Sequence, residues 1–257
     1  MKPRILFAGL AAAVSVAHGA HAQVTTASKP DDAWRGGIGL GMALSSGNSE
    51  TTSINGAADA VKQTGIEKLG LYISAIRNSA KVNGVDTTTA NLLRFGGRYD
   101  RDFSNTWYGF GGVDVDKDKP ADIKWRWVPQ AGLGLHVIKH PATTFDIFTG
   151  LAYNDTTRYV GVDSRGMEAL VGEESTHKLT DTTSFMQRLV AYPGLSSDRS
   201  GEYRLAFDAG LKAQVVGGWN LVVTLSSRYD SLPAAGKKST DTFFFTGLQY
   251  GWGPSAK

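Results

Sequence analysis

From Trp34 to Trp252 apolar and polar residues alternate with a period of two, broken at intervals by glycine, proline, asparagine and aspartate. A period of two belongs to a strand with unlike faces. The clearest run puts Tyr203, Leu205, Phe207, Ala209, Leu211, Ala213 and Val215 on one face, with Arg204, Ala206, Asp208, Gly210, Lys212 and Gln214 on the other. Leu221, Val223 and Leu225 repeat it against Val222, Thr224, Ser226, Arg228 and Asp230. In the first run Ile38, Leu40, Met42 and Leu44 stand opposite Gly37, Gly39, Gly41 and Ala43. The breaks predict twelve strands, over 34–45, 51–62, 67–79, 87–100, 106–115, 123–138, 143–153, 165–178, 184–193, 202–215, 220–230 and 240–252. Alternation is weakest in the eighth. The connections also alternate in kind. Five are short (63–66, 102–105, 139–142, 179–182, 216–218) and six are longer and more polar (46–50, 80–86, 116–122, 154–164, 194–201, 231–239). Short turns at one end and long loops at the other describe an all-β, antiparallel, up-and-down transmembrane barrel.

Alternation does not say which face looks inward. In a soluble barrel the apolar side is the core; in a membrane barrel it meets lipid. Two features favour lipid. The polar face carries small residues and charges of both signs, which suits a narrow lumen. Aromatics gather at strand ends, namely Trp34, Tyr99, Trp107, Tyr108, Trp125, Trp127, Tyr153, Tyr192, Tyr203, Trp219, Tyr229, Tyr250 and Trp252, like interfacial girdles. A third feature is the leader: Lys2 and Arg4, an apolar run from Ile5 to Ala17, then Ala20-His21-Ala22. These are the parts of an export signal, too short to span a bilayer as a helix. The chain is thus expected to lose residues 1–22, to begin with a polar, unpaired periplasmic arm over 23–33, to form a cell outer-membrane barrel over 34–252, and to end in a short tail over 253–257. A soluble periplasmic β-barrel acting as a binding module is the alternative.

Of the 257 residues, 27 are Lys or Arg and 24 are Asp or Glu. Without Lys2 and Arg4 the balance is 25 to 24, so no nucleic-acid surface is expected. The chain has no cysteine, which removes disulfides, thiolate metal sites and a cysteine nucleophile. His136, His140 and His177 lack the spacing of metal ligands, and no cofactor is expected. Asp114, Asp116, Asp118 and Asp122 cluster near the third long loop. They are the one seed of an enzymatic reading, but no histidine is placed at that rim to serve them, and a non-enzymatic chain is the expectation.

The inward face is expected to carry Arg94, Arg98, Asp114, Asp116, Lys124, Arg126, Asp146, Arg188, Arg204, Asp208, Lys212, Arg228 and Asp230, eight cations and five anions. Charges on a secluded wall should pair, with Arg204 or Lys212 meeting Asp230 and Arg94 or Arg98 meeting Asp114. Such a ladder predicts a narrow, largely occluded lumen. If it conducts, the cationic excess gives a small diffusion pore a weak anion preference.

The opening Trp34-Arg35-Gly36-Gly37-Ile38-Gly39-Leu40-Gly41, followed by Leu44-Ser45-Ser46-Gly47-Asn48-Ser49-Glu50-Thr51-Thr52-Ser53, resembles the salt-induced outer-membrane protein family, domain of unknown function 481. So do Gly96-Gly97-Arg98-Tyr99-Asp100, Gly132-Leu133-Gly134, Leu179-Thr180-Asp181 and Thr246-Gly247-Leu248-Gln249-Tyr250. The Ser46-Gly47-Asn48-Ser49 motif reads as a tight hairpin turn, because Gly and Asn tolerate positive φ. The resemblance implies an outer-membrane barrel with a structural or passive envelope role, whose partners are outer-membrane lipid and the barrel assembly machinery. Such barrels often finish on an aromatic residue; here Trp252 is followed by Gly253-Pro254-Ser255-Ala256-Lys257.

Overall fold

A computed structural model describes residues 29–45, 50–82, 85–196 and 201–254. The leader and the Ser46–Ser49 turn lie outside the described residues. The remainder forms twelve strands: β1 Trp34–Ser45, β2 Glu50–Gln63, β3 Glu67–Val82, β4 Val85–Asp102, β5 Trp107–Asp118, β6 Ile123–His140, β7 Thr143–Arg158, β8 Ser164–Lys178, β9 Thr183–Pro193, β10 Tyr203–Val216, β11 Trp219–Asp230 and β12 Thr240–Trp252. Each pairs antiparallel with its chain neighbours, and β1 pairs with β12 to close the barrel. Closure leaves no sheet edge, as a bilayer demands.

The strands outrun the sequence reading at the long-loop end. The loop expected over 80–86 is largely strand, since β3 and β4 continue to Val82 and from Val85. Likewise β5 reaches Asp118 and β7 reaches Arg158. There the residues on both faces are mostly polar, so the period of two in hydrophobicity has no signal to give.

Ile38, Leu40 and Met42 stand on the outer surface, Leu40 with 70% of its area exposed. Leu205 and Leu211 are exposed as well, and Phe207 is half-buried between Leu189 and Ser227 on the neighbouring strands. The apolar face is therefore the outer one. Where glycines line the inside they make room for neighbours: a Cβ on Gly37 would stand 2.3 Å from Gln249 Nε2, and one on Gly134 would stand 2.1 Å from the Tyr108 ring.

Not everything inside is polar. Tyr108, Phe110, Val128, Phe148, Ala152, Leu170, Val190 and Tyr192 form a buried cluster within the β5–β9 wall, and Leu170 has no exposed area. These are inward positions of their strands, so Tyr108 and Tyr192 do not join the outer girdles expected of them. They explain the weak alternation of β8, in which Leu170 faces in between Glu168 and Glu174, while Arg165 and Glu173 face out. The opposite wall is small and polar, with Ser74, Asn220, Thr224, Ser226 and Gln249 buried there.

The arm is anchored where the described residues begin. Asp31 forms a two-point ion pair with Arg35, one contact of which measures 2.8 Å. Asp32 pairs with Lys62 at 2.9 Å, and its backbone N–H donates to the Gln63 carbonyl. Arg35 Nε also donates to the Pro254 carbonyl at 2.9 Å, joining arm and tail. Residues 31 and 32 are thus bound to the barrel rim, against the expectation of an unpaired arm. The Arg35 guanidinium beside it holds the Asp31 carboxyl down to about 2. A depressed carboxylate contributes its stabilisation above its ordinary pKa near ~3.9 and loses it as pH falls toward the folded value. The latch should therefore be complete above about pH 4 and released toward about pH 2. A carboxyl-carbon NMR titration should place the Asp31 midpoint near 2, and Arg35→Gln should return it to the ordinary range.

Candidate functional site

The barrel encloses one long cavity of about 1820 Å³, lined from the short-turn residues Lys139, Thr180 and Gly217 to the long-loop residues Pro120, Arg158 and Gly236. Strands of about 14 residues rise ~3.3 Å per residue and tilt by about 40°, giving a barrel roughly 35 Å tall. Spread over that height, the cavity averages about 50 Å² of free section. That is room for water and small solutes in file, and not for a folded chain.

Alternation along the strands delivers the charged side chains to this cavity. Arg94, Arg98, Asp114, Asp116, Arg126, Asp146, Arg188, Arg204, Asp208, Lys212, Arg228 and Asp230 all line it. Lys124 does not. The ladder shifts register between Ile123 and Trp125, which turns Ile123 inward and leaves Lys124 exposed. A bulge of one residue flips every side chain after it, and nothing in the alternation of β6 marks the position.

The pairing also departs from expectation. Arg204 lies beside Asp230 in register but reaches over β9 to Glu168 on β8, with Nε donating to Oε1 at 3.0 Å. Glu168 is 1% exposed and also accepts from Asn154 Nδ2 at 3.3 Å. Arg94 pairs with Asp116 rather than Asp114. Asp114 accepts instead from the Tyr72 hydroxyl and, at 2.9 Å, from Gln130 Nε2. Arg98 takes Asp100 at 2.6 Å and Glu174 at 3.4 Å, and its guanidinium lies 4.3 Å from the centre of the Phe110 ring. Asp208 holds Arg228 at 2.8 Å, and Asp230 lies 3.8 Å from Arg126. Arg94 thus takes its register partner on β5, whereas Arg204 and Arg98 reach beyond a neighbouring strand, so in a barrel this narrow register does not choose every partner.

At the short-turn end His136 sits between two carboxylates, Nδ1 at 2.8 Å from Asp146 and Nε2 at 3.2 Å from Asp102. Lys139 closes on Asp102 at 2.7 Å, and the imidazole stacks on Tyr108. The acidic cluster near the third long loop is used structurally. Asp118 accepts from the Ala121 N–H at 3.2 Å, and Asp122 accepts from those of Val160 and Gly161 at 3.0 and 2.8 Å.

Sequence reasoning missed Tyr72, Asp100, Asp102, Asp118, Glu168 and Glu174. Asp100, Asp102 and Asp118 lie two or four residues from expected lumen positions, so continuing the period through the strand ends finds them. With these and the mouth residues counted, 14 Lys and Arg face 13 Asp and Glu along the described lining. The cationic excess thus falls from three to one.

The sequence profile of a family described as "Protein of unknown function, DUF481" matches residues 38–252. The chain belongs to the DUF481 family. Among curated proteins none matches it. Solved structures similar to this DUF481 chain include an outer membrane channel from Pseudomonas putida F1, at 12% identity and TM-score 0.49 over 88% of this chain and 96% of that one. The NanC porin gives 11% and 0.48 over 84% and 97%. The translocator domain of the autotransporter NalP from Neisseria meningitidis gives 13% and 0.43 over 86% and 87%. At scores below 0.5 these likenesses carry no weight, and the barrel stands on the chain's own pairing.

Proposed function

We propose that this DUF481 chain is an outer-membrane barrel with a passive, non-enzymatic role, and that its lumen is a narrow conduit for water, ions and other small solutes. The observation that carries this is the charge-lined cavity that runs from the short-turn end to the long-loop end. Support for the location comes from the outer surface. Trp34, Trp107, Trp219 and Tyr250 ring one end of the apolar band, and Trp127, Tyr153, Tyr203 and Tyr229 ring the other, as at the two faces of a bilayer. The export-type leader and the contrast between short turns and long loops point the same way, with the long loops outside the cell. On this reading the partners are outer-membrane lipid and the assembly machinery, and no cofactor is required.

The salt bridges make the conduit tight. Arg98 on β4 reaches across it to Glu174 on β8, Arg94 and Asp116 pair along the wall, and the aromatic cluster fills the β5–β9 side. In planar bilayers the protein should give small, weakly selective current steps. The double variant Arg98→Ala/Glu174→Ala removes both ends of that crossing and should enlarge the steps. A wild type and variant that are both silent would sink the conduit, leaving a closed structural barrel. Recovery of the protein wholly in periplasmic extract, with no shift between unboiled and boiled gel samples, would end the membrane reading.

A further inference from the structure

We infer that the outer wall of β3–β6, just beyond the girdle at the long-loop end, is a binding site for the phosphate groups of a lipid headgroup in the adjoining leaflet. The inference rests on the outer-membrane reading and adds a site to it. Arg77 on β3, Lys117 on β5 and Lys124 on β6 all point outward there, because their neighbours Ile76, Asn78, Asp116, Asp118 and Ile123 are buried toward the inside. Lys119 in the following loop is exposed, and its N–H donates to the carbonyl of Asn91, the register partner of Arg77. The four cations therefore form one patch across adjacent strands.

Two features set this patch apart from ordinary surface lysines. The first is its lack of counter-charge. Four cations of the opposite rim are paired: Lys62 with Asp32, Arg101 with Glu67, Lys139 with Asp102 and Lys178 with Asp181. On the neighbouring wall Arg165 pairs with Asp155 at 3.0 Å. Arg77, Lys117, Lys119 and Lys124 have no ion pair with any described residue. The second is the floor beneath them. Lys117 Nζ lies 5.4 Å from the centre of the Trp125 ring, while Trp127 is exposed and meets Phe95 edge-on at 6.5 Å. Two register shifts, at Asp116/Asp118 and Ile123/Trp125, bring Lys117, Lys124 and Trp125 together on the outer wall.

The chemistry then selects the ligand. Stems of Lys and Arg lie along apolar surface while their charged heads reach headgroup depth, and indole rings favour the same depth. Several unpaired cations at that depth attract lipid anions, and a headgroup bearing more than one phosphate can engage several of them at once. Confinement of the four cations to β3–β6, one-third of the twelve-stranded wall, makes this a localised site rather than a general belt.

The test uses the full-length protein purified from membranes in detergent, with lipid retention read by native mass spectrometry. Diphosphoryl lipid A, its dephosphorylated form and phosphatidylcholine serve as probes. The wild type should retain the diphosphoryl lipid at least tenfold better than the dephosphorylated one. Arg77→Gln/Lys117→Gln/Lys124→Gln should abolish that preference. The single variant Lys124→Gln, at an exposed position that leaves the ladder intact, should weaken retention severalfold and keeps the test open if the triple variant does not fold. Retention that ignores phosphate, or that survives either substitution unchanged in folded protein, overturns the inference. Unboiled gel migration, recorded on the same samples, reports separately whether the barrel itself has failed.

Discussion

Glu168→Ala should destabilise the barrel by about 3–5 kcal/mol, because it leaves the buried Arg204 guanidinium without its carboxylate. Glu168 is 1% exposed and holds both Arg204 and Asn154. Arg204 in turn stacks on the Tyr192 ring at 4.6 Å, so it cannot swing into open water without disturbing the aromatic cluster. Urea unfolding in liposomes, followed by loss of the fast unboiled band, measures the change. Replacing both partners together, as Glu168→Leu/Arg204→Leu, should recover most of the loss, since a buried ion pair often contributes no more than an apolar pair of similar size. A single-variant loss below about 1 kcal/mol would mean that Arg204 finds another acid, with Asp230 beside it in register the obvious candidate.

Leu225→Arg should be nearly as damaging, for a different reason. Leu225 is exposed on the outer wall of β11, midway between Trp219 and Tyr229 at the two girdles. An arginine there meets the centre of the bilayer and costs about 2–4 kcal/mol, whereas near an interface the cost falls to about 0–1. Ser227→Arg, one outward position closer to Tyr229, is the internal comparison and should be much milder. Equal effects at 225 and 227, in lipid vesicles of normal thickness, would contradict the placement of the apolar band. The same protein refolded in detergent should show a smaller gap between the two, because a micelle adapts its shape around a charge.

These contrasts rest on features that differ in how visibly the sequence encodes them. Strand number and the outward apolar face are legible because one side meets lipid and the other does not, a difference repeated at every second residue of runs such as Tyr203 to Val215. Lumen membership of Arg94 through Asp230 is legible for the same reason. Lys124 is not, because the bulge that turns it outward depends on how β6 meets both β5 and β7. Nor is the partner of Arg204, which depends on distances across a narrow cylinder and not along a strand. The apolar cluster around Phe110 and Phe148 was hidden by an assumption that a membrane barrel is polar inside. Its residues do alternate, but in the sense expected of a soluble core.

The line where β1 meets β12 has a further consequence, for the order of events when the chain folds. Their pairing runs only from Gly36↔Trp252 to Leu40↔Leu248, five residue pairs, against twelve between β1 and β2. Every other neighbour is reached through a turn or loop of a few residues, but this one joins the two ends of the barrel sequence. Closing a loop of about 200 residues rather than about 10 costs roughly 2.5 kcal/mol more in chain entropy, at about 0.6 kcal/mol per doubling. The shortest ladder is thus set against the largest closure cost. A curled, eleven-seamed sheet is the natural precursor, and zipping Gly36 to Trp252 is the slow final event whose reversal begins unfolding.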